Sequence, residues 1–336
     1  MIALRFLRTV LAWTWILADT MVSATAIGIS GETEFSERVL RAWARRFLRI
    51  FPAFYAVAIT AALCGVASAR ATLPFNLTYT TNFHLAAAGA WQGEVSHFWS
   101  LAVEEQFYLV WPWVILLLPL PAIRRLLVLL VIAAPAFRWW AASGVNPVAA
   151  SVLPPACFDT LGAGALLALA RRGLGPAWFG RLLRPPFPAL AVAAAAVLTA
   201  VHLAGKAPGD ALYAAGLDLA LALAFAALVA RAADGFQGRA GALLGAPRLV
   251  YLGTISYGLY LLHNFVPGLI GWAPLYPWMR PLVYPFVTAA LAAASWRFFE
   301  EPINRAKRFF PYERLRPSSP APPPLLQPHL AGEAGP

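Results

Sequence analysis

Nine apolar runs follow one another along the chain, and short loops that contain arginine separate many of them. A helix needs about 20 apolar residues to cross a bilayer, and most of these runs approach that length. Strands of a membrane barrel would alternate polar and apolar residues, whereas these runs are continuous. The sequence therefore predicts an all-α, polytopic bundle of transmembrane helices with about nine recognisable spans. The runs are Val10–Ile29, Phe47–Ala67, Phe98–Leu118, Leu126–Ala142, Cys157–Ala170, Phe187–Ala204, Ala211–Ala230, Leu249–Ile270 and Leu282–Phe299.

Composition and loop charge support this interpretation. Only 12% of the 336 residues are charged and 60% are hydrophobic, whereas soluble domains carry about 25% charged residues. The net charge of +11 comes mainly from arginines in alternate loops. This is the positive-inside pattern of membrane proteins, and it argues against nucleic-acid binding. Placing the basic loops in the cytoplasm gives eight consistent spans from Phe47 onward, with the C-terminus inside.

The N-terminal run does not fit that topology, because Arg5 and Arg8 would then lie outside. We expect either that this run lies on the membrane surface or that a segment is missing in front of it. The chain divides into an atypical segment at 1–35, a membrane domain at 36–310 and a Pro-rich tail at 311–336, for which we expect disorder and a cytoplasmic position. A polar, Thr-rich loop is expected at 68–96. Cys64 and Cys157 lie in apolar segments, which favours neither a disulfide nor a metal site.

The stretch His97–Pro112, HFWSLAVEEQFYLVWP, places two adjacent carboxylates inside an apolar run. An acid at membrane depth costs roughly 2.5–3.5 kcal/mol, so such residues indicate function by default. With about 100° per helical residue, His97, Glu104 and Tyr108 lie on one stripe and Glu105 points away from it. The alternative is that Glu104 satisfies an arginine or the backbone of a neighbouring helix.

A basic cluster, RAWARRFLRIFP, precedes the Phe47 run. It places Arg45, Arg46 and Arg49 at the predicted cytoplasmic mouth of a helix, and Arg41, Arg45 and Arg49 recur at intervals of four. Guanidinium groups pair well with phosphate, so the stripe suits a polyphosphorylated ligand. Contact with anionic lipid head groups would explain it equally well.

The run Leu249–Ile270 contains His263 and Asn264 at a predicted depth comparable with that of Glu104. A lone histidine in an apolar helix is commonly a core group. Two helices that each carry a histidine at similar depth, His97 and His263, instead favour a shared cavity.

Three further features carry charge or small residues. Asp159 and Asp218 are single acids within apolar runs, and the GAGA sequence after Asp159 favours close helix packing. Glu300 and Glu301 are expected to pair with Arg297 or Arg305.

These blocks resemble the acyltransferase 3 family, bacterial inner-membrane enzymes that acylate cell-envelope sugars and related glycans. The resemblance covers roughly 36–308 and rests on RRFLRIFPAFY, HFWSLAVEEQFYLVWP, FDTLGAGALLA, ISYGLYLLH and FFEEPINR, in that order. It implies about ten spans, an acyl-CoA co-substrate (usually acetyl-CoA) that enters from the cytoplasm, and an acceptor hydroxyl on a sugar. By motif match, Arg45, Arg46 and Arg49 would be the basic motif near the CoA site. Glu104 would be the acid of the Trp-Ser-Leu…Glu motif, His263 the histidine of the Ser-Tyr…His motif, and Glu300 the acid of the Glu-x-Pro motif.

The chain departs from the family at its N-terminal region. The family begins with a span that bears an arginine and, about ten residues later, the histidine thought to act as catalytic base. Here no histidine precedes His84, and the positions eleven after Arg5 and Arg8 are Ile16 and Asp19. His97 or His263 would therefore have to serve as the base.

The expected function is O-acylation by a membrane enzyme, with His97, Glu104 and His263 as catalytic candidates and no metal. Glu104 is expected to orient or charge an imidazole. Its substrates would be acyl-CoA and a hydroxyl of an envelope or secreted polysaccharide, for example in O-acetylation. One alternative is a truncated or catalytically impaired relative that binds or passages a glycan or lipid. Another is an ion-coupled transporter with Glu104, Asp159 and Asp218 as a proton relay; it predicts inverted repeats, and the sequence shows none.

Overall fold

The computed structural model of the chain describes residues 32–204, 209–271, 273 and 276–311. All regular elements within these ranges are helical, which confirms the all-α prediction. The Val10–Ile29 run and the tail from residue 312 onward lie outside the described residues. The α-helices are α1 Glu32–Leu63, α2 Ala67–Leu77, α3 Thr81–Ala88, α4 Phe98–Leu117, α5 Leu120–Trp140, α6 Ala149–Val152, α7 Phe158–Arg171, α8 Ala177–Leu182, α9 Phe187–Leu203, α10 Gly209–Asp234, α11 Gly238–Leu244, α12 Pro247–Thr254, α13 Ser256–Leu262, α14 Val266–Leu269, α15 Arg280–Ser295 and α16 Glu301–Asn304. Short 3₁₀ turns lie at Gly93–Val95, Pro154–Cys157 and Arg305–Phe309, and π-type turns at Ala141–Val145 and Trp296–Glu300.

Four helical stretches in the described part of the chain are long and apolar enough to cross a membrane. They are Arg41–Leu63, Leu120–Gly144, Ala211–Asp234 and Arg280–Phe309. Helix α9 is also apolar but has only 17 residues. The membrane character of the chain therefore holds, whereas the expected number of about nine spans is not confirmed.

The segment 68–96, which we expected to be a loop, is mostly helical, so that prediction is wrong. Thr72, Asn76 and Thr81 of this segment are buried and satisfy one another instead of facing water. Asn76 donates to Thr72 Oγ1 over 3.0 Å, and Thr81 donates to Asn76 Oδ1 over 2.7 Å. Helix α3 then ends at Gly89, whose φ of 62° is the left-handed conformation that glycine adopts at little cost.

The run Leu249–Ile270 was expected to form one helix and instead forms three, α12, α13 and α14. Pro267 explains the last break, because it cannot donate the backbone hydrogen bond that a continuous helix would need, but it is tolerated in a first turn. His263 is consequently the residue that follows α13, not a residue in the middle of a long helix.

Helix α4 lies between two apolar clusters and so positions the residues of interest. Its first turns, with Phe98 and Leu101, pack in a cluster with α1 and α13. Further along, Trp111 packs in a cluster with α5, α7 and α10. The two ends of α4 are therefore packed against different helices, and this determines which groups each of its polar side chains can reach.

Candidate active site

The start of α4 and the end of α13 bring the two predicted histidines together. The ring centroids of His97 and His263 are 4.7 Å apart, and Tyr260 lies 5.2 Å from His97. Both histidines are half-buried, so they remain accessible to a ligand. The structure thus brings the two histidines together, and the shared cavity stays a prediction.

Hydroxyl groups fix the relative position of α4 and α13. The Tyr260 hydroxyl donates a hydrogen bond to the backbone carbonyl of His97. The Ser100 hydroxyl lies 2.8 Å from the Tyr260 hydroxyl. These contacts join the Trp-Ser-Leu and Ser-Tyr…His motifs directly. The histidine pair is therefore positioned by hydrogen bonds as well as by apolar packing.

The two imidazoles differ in their hydrogen-bond partners. His263 Nδ1 lies 2.6 Å from the backbone carbonyl of Tyr260. A carbonyl only accepts, so Nδ1 carries the proton and the neutral ring keeps its lone pair on Nε2. This tautomer makes His263 Nε2 suitable as a proton acceptor.

His97 instead has carbonyl oxygens near both ring nitrogens. Nδ1 is 2.9 Å from the Glu94 carbonyl, and Nε2 is 3.3 Å from the Leu261 carbonyl. Asn264 Nδ2 lies 3.0 Å from His97 Nδ1. Both ring nitrogens are thus engaged by neighbouring polar groups, and His97 is therefore better suited to orient groups than to accept a proton.

Glu94, which supplies one of those carbonyls, is held by a side chain of α2. Its carboxylate accepts a 2.6 Å hydrogen bond from the Ser68 hydroxyl. That hydrogen bond, together with one from its own backbone N–H, lowers the pKa of Glu94 below the ordinary glutamate value. The charged form of Glu94 thus helps to fix the turn on which His97 sits.

Deeper along α4, the two carboxylates meet an arginine from α1. Arg46 donates to Glu105 Oε1 through Nε and Nη2 over 3.0 and 2.7 Å, and Glu104 Oε2 is 3.7 Å from Nη2. The guanidinium also lies over the Tyr108 ring, 3.3 Å from its centroid. Glu104 is 4% exposed, and its Oε2 atom receives no hydrogen bond from any residue that the structure describes.

A scan against protein-family models matches the acyltransferase domain model, Acyl_transf_3, over residues 21–299. This chain belongs to the acyltransferase 3 family. An uncharacterised protein of Haemophilus influenzae is 33% identical over 106 residues, which cover 27% of this chain and 42% of that protein. The chain thus matches less than half the length of this relative. No solved structure matches this chain.

The structure divides the arginines that the sequence grouped together. In this member of the acyltransferase 3 family, Arg46 points into the protein toward Glu105, and its side chain is only 10% exposed. Arg45 donates from Nη1 to the backbone carbonyls of Lys307 and Phe310 over 3.2 and 3.0 Å. Glu104 accordingly lies beside Arg46, the arrangement given above as the alternative to partnership with an imidazole. Its catalytic role and the role of the three arginines in binding CoA stay predictions.

The two acids near the C-terminal end of the described chain have different environments. Glu301 pairs with Arg305 at 3.0 Å and with Arg297 at 3.7 Å, as expected. Glu300 does not follow that expectation: it is 3% exposed and accepts a 2.8 Å hydrogen bond from Ser295. Gly258 of α13 approaches it so closely that an added Cβ would lie 3.0 Å from Glu300 Oε1.

Sequence reasoning missed one buried charge, Arg138 at the end of α5. It is 1% exposed and forms a two-point ion pair with Asp159 at 3.0 and 2.5 Å. The signal was available, because an arginine inside an apolar run needs an acid, and two acids in apolar runs had no assigned cation. Gly162 of the GAGA sequence meets α5 closely, since a Cβ there would lie 2.8 Å from Val131, in agreement with its predicted packing role.

Among the described residues, His, Cys, Asp and Glu form no group of three that could hold a metal ion. Cys64 and Cys157 are both free thiols. The candidate site thus consists of imidazole, amide, hydroxyl, carboxylate and guanidinium groups, which can move protons and stabilise charge in acyl transfer.

Proposed function

We propose that this acyltransferase moves an acyl group, acetyl in the simplest case, from acyl-CoA to a hydroxyl of an envelope or secreted glycan. The family supports acyl transfer as the chemistry. The observation that carries the mechanism is the 2.6 Å contact from His263 Nδ1 to the Tyr260 carbonyl, which leaves the ring lone pair on Nε2. The enzyme would work in the bacterial inner membrane, with its C-terminus in the cytoplasm.

In the proposed step, His263 Nε2 takes the proton of the acceptor hydroxyl as its oxygen attacks the thioester carbonyl. The C–S bond then breaks, and the imidazolium returns the proton to the departing CoA thiolate. The Asn264 amide stands beside His97 and would donate a hydrogen bond to the oxygen that becomes negatively charged, while His97 would orient that amide. Glu104 and Arg46 would set the electrostatic field beneath the histidine pair.

The donor would bind at the basic face formed by α1 and the C-terminal basic segment. Arg45 draws the backbone of the segment Arg305–Phe309 against α1, which places additional cationic residues next to the arginine stripe. Such a face suits the phosphates of CoA, since guanidinium groups bind phosphate through two parallel hydrogen bonds. Arg46 is a poor direct ligand because Glu105 holds its guanidinium.

The test is acyl transfer by the purified full-length chain with radiolabelled acetyl-CoA and de-acetylated envelope polysaccharide. His263→Gln should lower the rate by about 10²–10⁴-fold, the usual contribution of a general base. His84→Gln is the matched control, since His84 stacks on Phe75 in α2 and takes no part in the site. Full activity of His263→Gln would refute the assignment of the base.

Binding measurements separate transfer from mere recognition. Saturable binding of acetyl-CoA that Arg45→Gln weakens, combined with label transfer to polysaccharide, supports the enzyme. Acetyl-CoA binding with no transfer to any envelope fraction would instead support a binding relative without catalysis. Absence of acetyl-CoA binding would overturn the proposed donor.

A further inference from the structure

A cavity of about 420 Å³ lies between α5, α7 and α10, away from the histidine pair. Trp99 of α4 forms part of its wall. At about 100° per residue, Trp99 points roughly 160° away from His97 around the α4 axis. The cavity is therefore on the opposite face of α4 from the candidate active site, and acyl transfer as proposed above makes no use of it.

One end of the cavity is built around Arg138, whose hydrogen-bonding capacity is fully used. The guanidinium donates to both oxygens of Asp159 and to the backbone carbonyls of Ala156, Ala214 and Ala215. A guanidinium has five N–H donors, and these five contacts account for all of them.

Asp218 is the second acid at this end, and Arg138 does not satisfy it. Its Oδ2 lies 3.9 Å from Arg138 Nη1, beyond hydrogen-bonding distance, and half of its side chain is exposed. Asp218 lines the cavity, so the exposed surface faces that space. One guanidinium and two carboxylates leave this end of the cavity with a net charge of −1 when both acids are ionised.

The rest of the cavity is an apolar groove. Along α10 its lining residues recur every three or four positions, from Leu217 through Leu221 and Phe225 to Val229. The eleven residue steps from Asp218 to Val229 rise about 16 Å, close to half of the roughly 30 Å hydrocarbon core of a bilayer. The cavity thus combines one anionic end with an apolar length that matches a single leaflet.

We propose that this cavity is a second ligand site, which binds an amphiphile with an ammonium head against Asp218 and a hydrocarbon chain along α10. The negative charge of the polar end favours a cationic head group that donates hydrogen bonds. An anion would find no partner in Arg138, because its guanidinium has no remaining N–H. Tyr213 and Thr160 also line this end and supply hydroxyls for a second contact with the head group. The proposal does not depend on acyl transfer.

The test uses the purified full-length chain in a non-ionic detergent and two probes of equal chain length, dodecylammonium and dodecanol. Equilibrium binding should favour dodecylammonium for the unaltered chain. Asp218→Asn should weaken dodecylammonium binding about tenfold, equivalent to about 1.4 kcal/mol, and should leave dodecanol binding unchanged. Leu221→Trp, which fills the groove, should weaken both probes.

Partition of the probes into detergent affects every variant equally, so the comparison between variants decides the outcome. Unchanged dodecylammonium binding in Asp218→Asn would overturn the proposal, as would equal loss of both probes in that variant. If Asp218→Asn fails to fold, Leu221→Trp decides instead: unchanged binding of dodecylammonium to that variant would show that the probe binds outside this cavity.

Discussion

In the described part of the protein, two clusters each combine one buried arginine with two carboxylates, and they are completed to different degrees. Arg138 makes five hydrogen bonds, two of them to Asp159 in a two-point pair. Arg46 donates to Glu105 from Nε and Nη2 to a single oxygen atom, while Glu104 stays 3.7 Å away. The first cluster is closed in the sense that every N–H of its cation is used, and its remaining acid, Asp218, is half exposed at the cavity. The second contains a buried carboxylate oxygen, Glu104 Oε2, without a hydrogen bond from the described residues.

The difference indicates different purposes. A fully bonded buried ion pair fixes the packing of the helices that carry it, here α5, α7 and α10. An incompletely bonded buried acid costs stability, and proteins retain that cost mainly where the group acts on a ligand or in catalysis. We therefore expect changes at Arg138 to affect folding first and changes at Glu104 to affect activity first.

The largest effect is expected for Arg138→Met. Removal of one partner leaves Asp159 as a buried charge without its cation, which typically costs about 3–5 kcal/mol. The free energy of unfolding, measured by denaturant titration in detergent, should fall by that amount. The double variant Arg138→Met/Asp159→Leu is the matched control and should regain at least half of the loss, because apolar pairs replace buried ion pairs well. A single variant as stable as the unaltered chain would show that the Arg138 cluster does not fix the packing.

The next largest effect is expected for Glu104→Gln, and it should appear in activity. Loss of the buried charge beside Arg46 should lower acyl transfer about 100-fold, a typical cost of removing one preorganised electrostatic group. The unfolding temperature should change little, since glutamine has the same size and Arg46 keeps its bonds to Glu105.

Asp159→Asn is the matched comparison for that variant, because it also neutralises one acid of an arginine cluster without a change in size. It should lower the unfolding temperature more than Glu104→Gln does and reduce the specific activity of the folded fraction less. If the two variants behaved alike in both measurements, the distinction between a closed and an incomplete cluster would have no functional meaning.

Much of the site could be predicted because its residues stand out against an apolar background. His97, Glu104 and His263 were candidates since polar residues are rare in such runs, and the structure does bring the two histidines together. The choice between Arg46 and an imidazole as the partner of Glu104 could not be made from one helix. It depends on how far α1 approaches α4, which is a property of tertiary packing.

The errors have a common physical origin. Threonine and asparagine at 72–82 indicated a loop because such residues favour water or turns. In the structure, Thr72, Asn76 and Thr81 satisfy one another in the interior. The apolar run at 249–270 indicated one helix because periodicity does not report breaks that tertiary contacts stabilise, such as the Tyr257 hydroxyl bond to the Ile50 carbonyl. Hydropathy identifies the helical bundle but not which polar groups pair inside it.

A smaller effect on stability is expected where α13 approaches a third buried acid, Glu300. In Gly258→Ala the added methyl would meet Glu300 Oε1 at 3.0 Å and the Ala292 side chain at 3.2 Å. Overpacking of this kind typically costs about 1–3 kcal/mol. Gly253→Ala in α12 is the matched control, because a Cβ there meets nothing within 4 Å and alanine favours the helix. Equal unfolding free energies for the two variants would show that the contact with Glu300 is loose.

The smallest effect concerns Glu94, a partly exposed acid with a single side-chain partner, in contrast to both buried clusters. Its pKa is lowered in the folded protein by hydrogen bonds from the Ser68 hydroxyl and its own backbone N–H. A folded-state pKa below the unfolded value means that the contribution is present above the unfolded pKa and is lost as pH falls through the folded pKa. Between pH 7 and pH 3, Ser68→Ala should therefore lose less of its thermal stability than the unaltered chain does. Identical acid sensitivity of the two chains would mean that the Ser68–Glu94 contact does not hold the turn before His97.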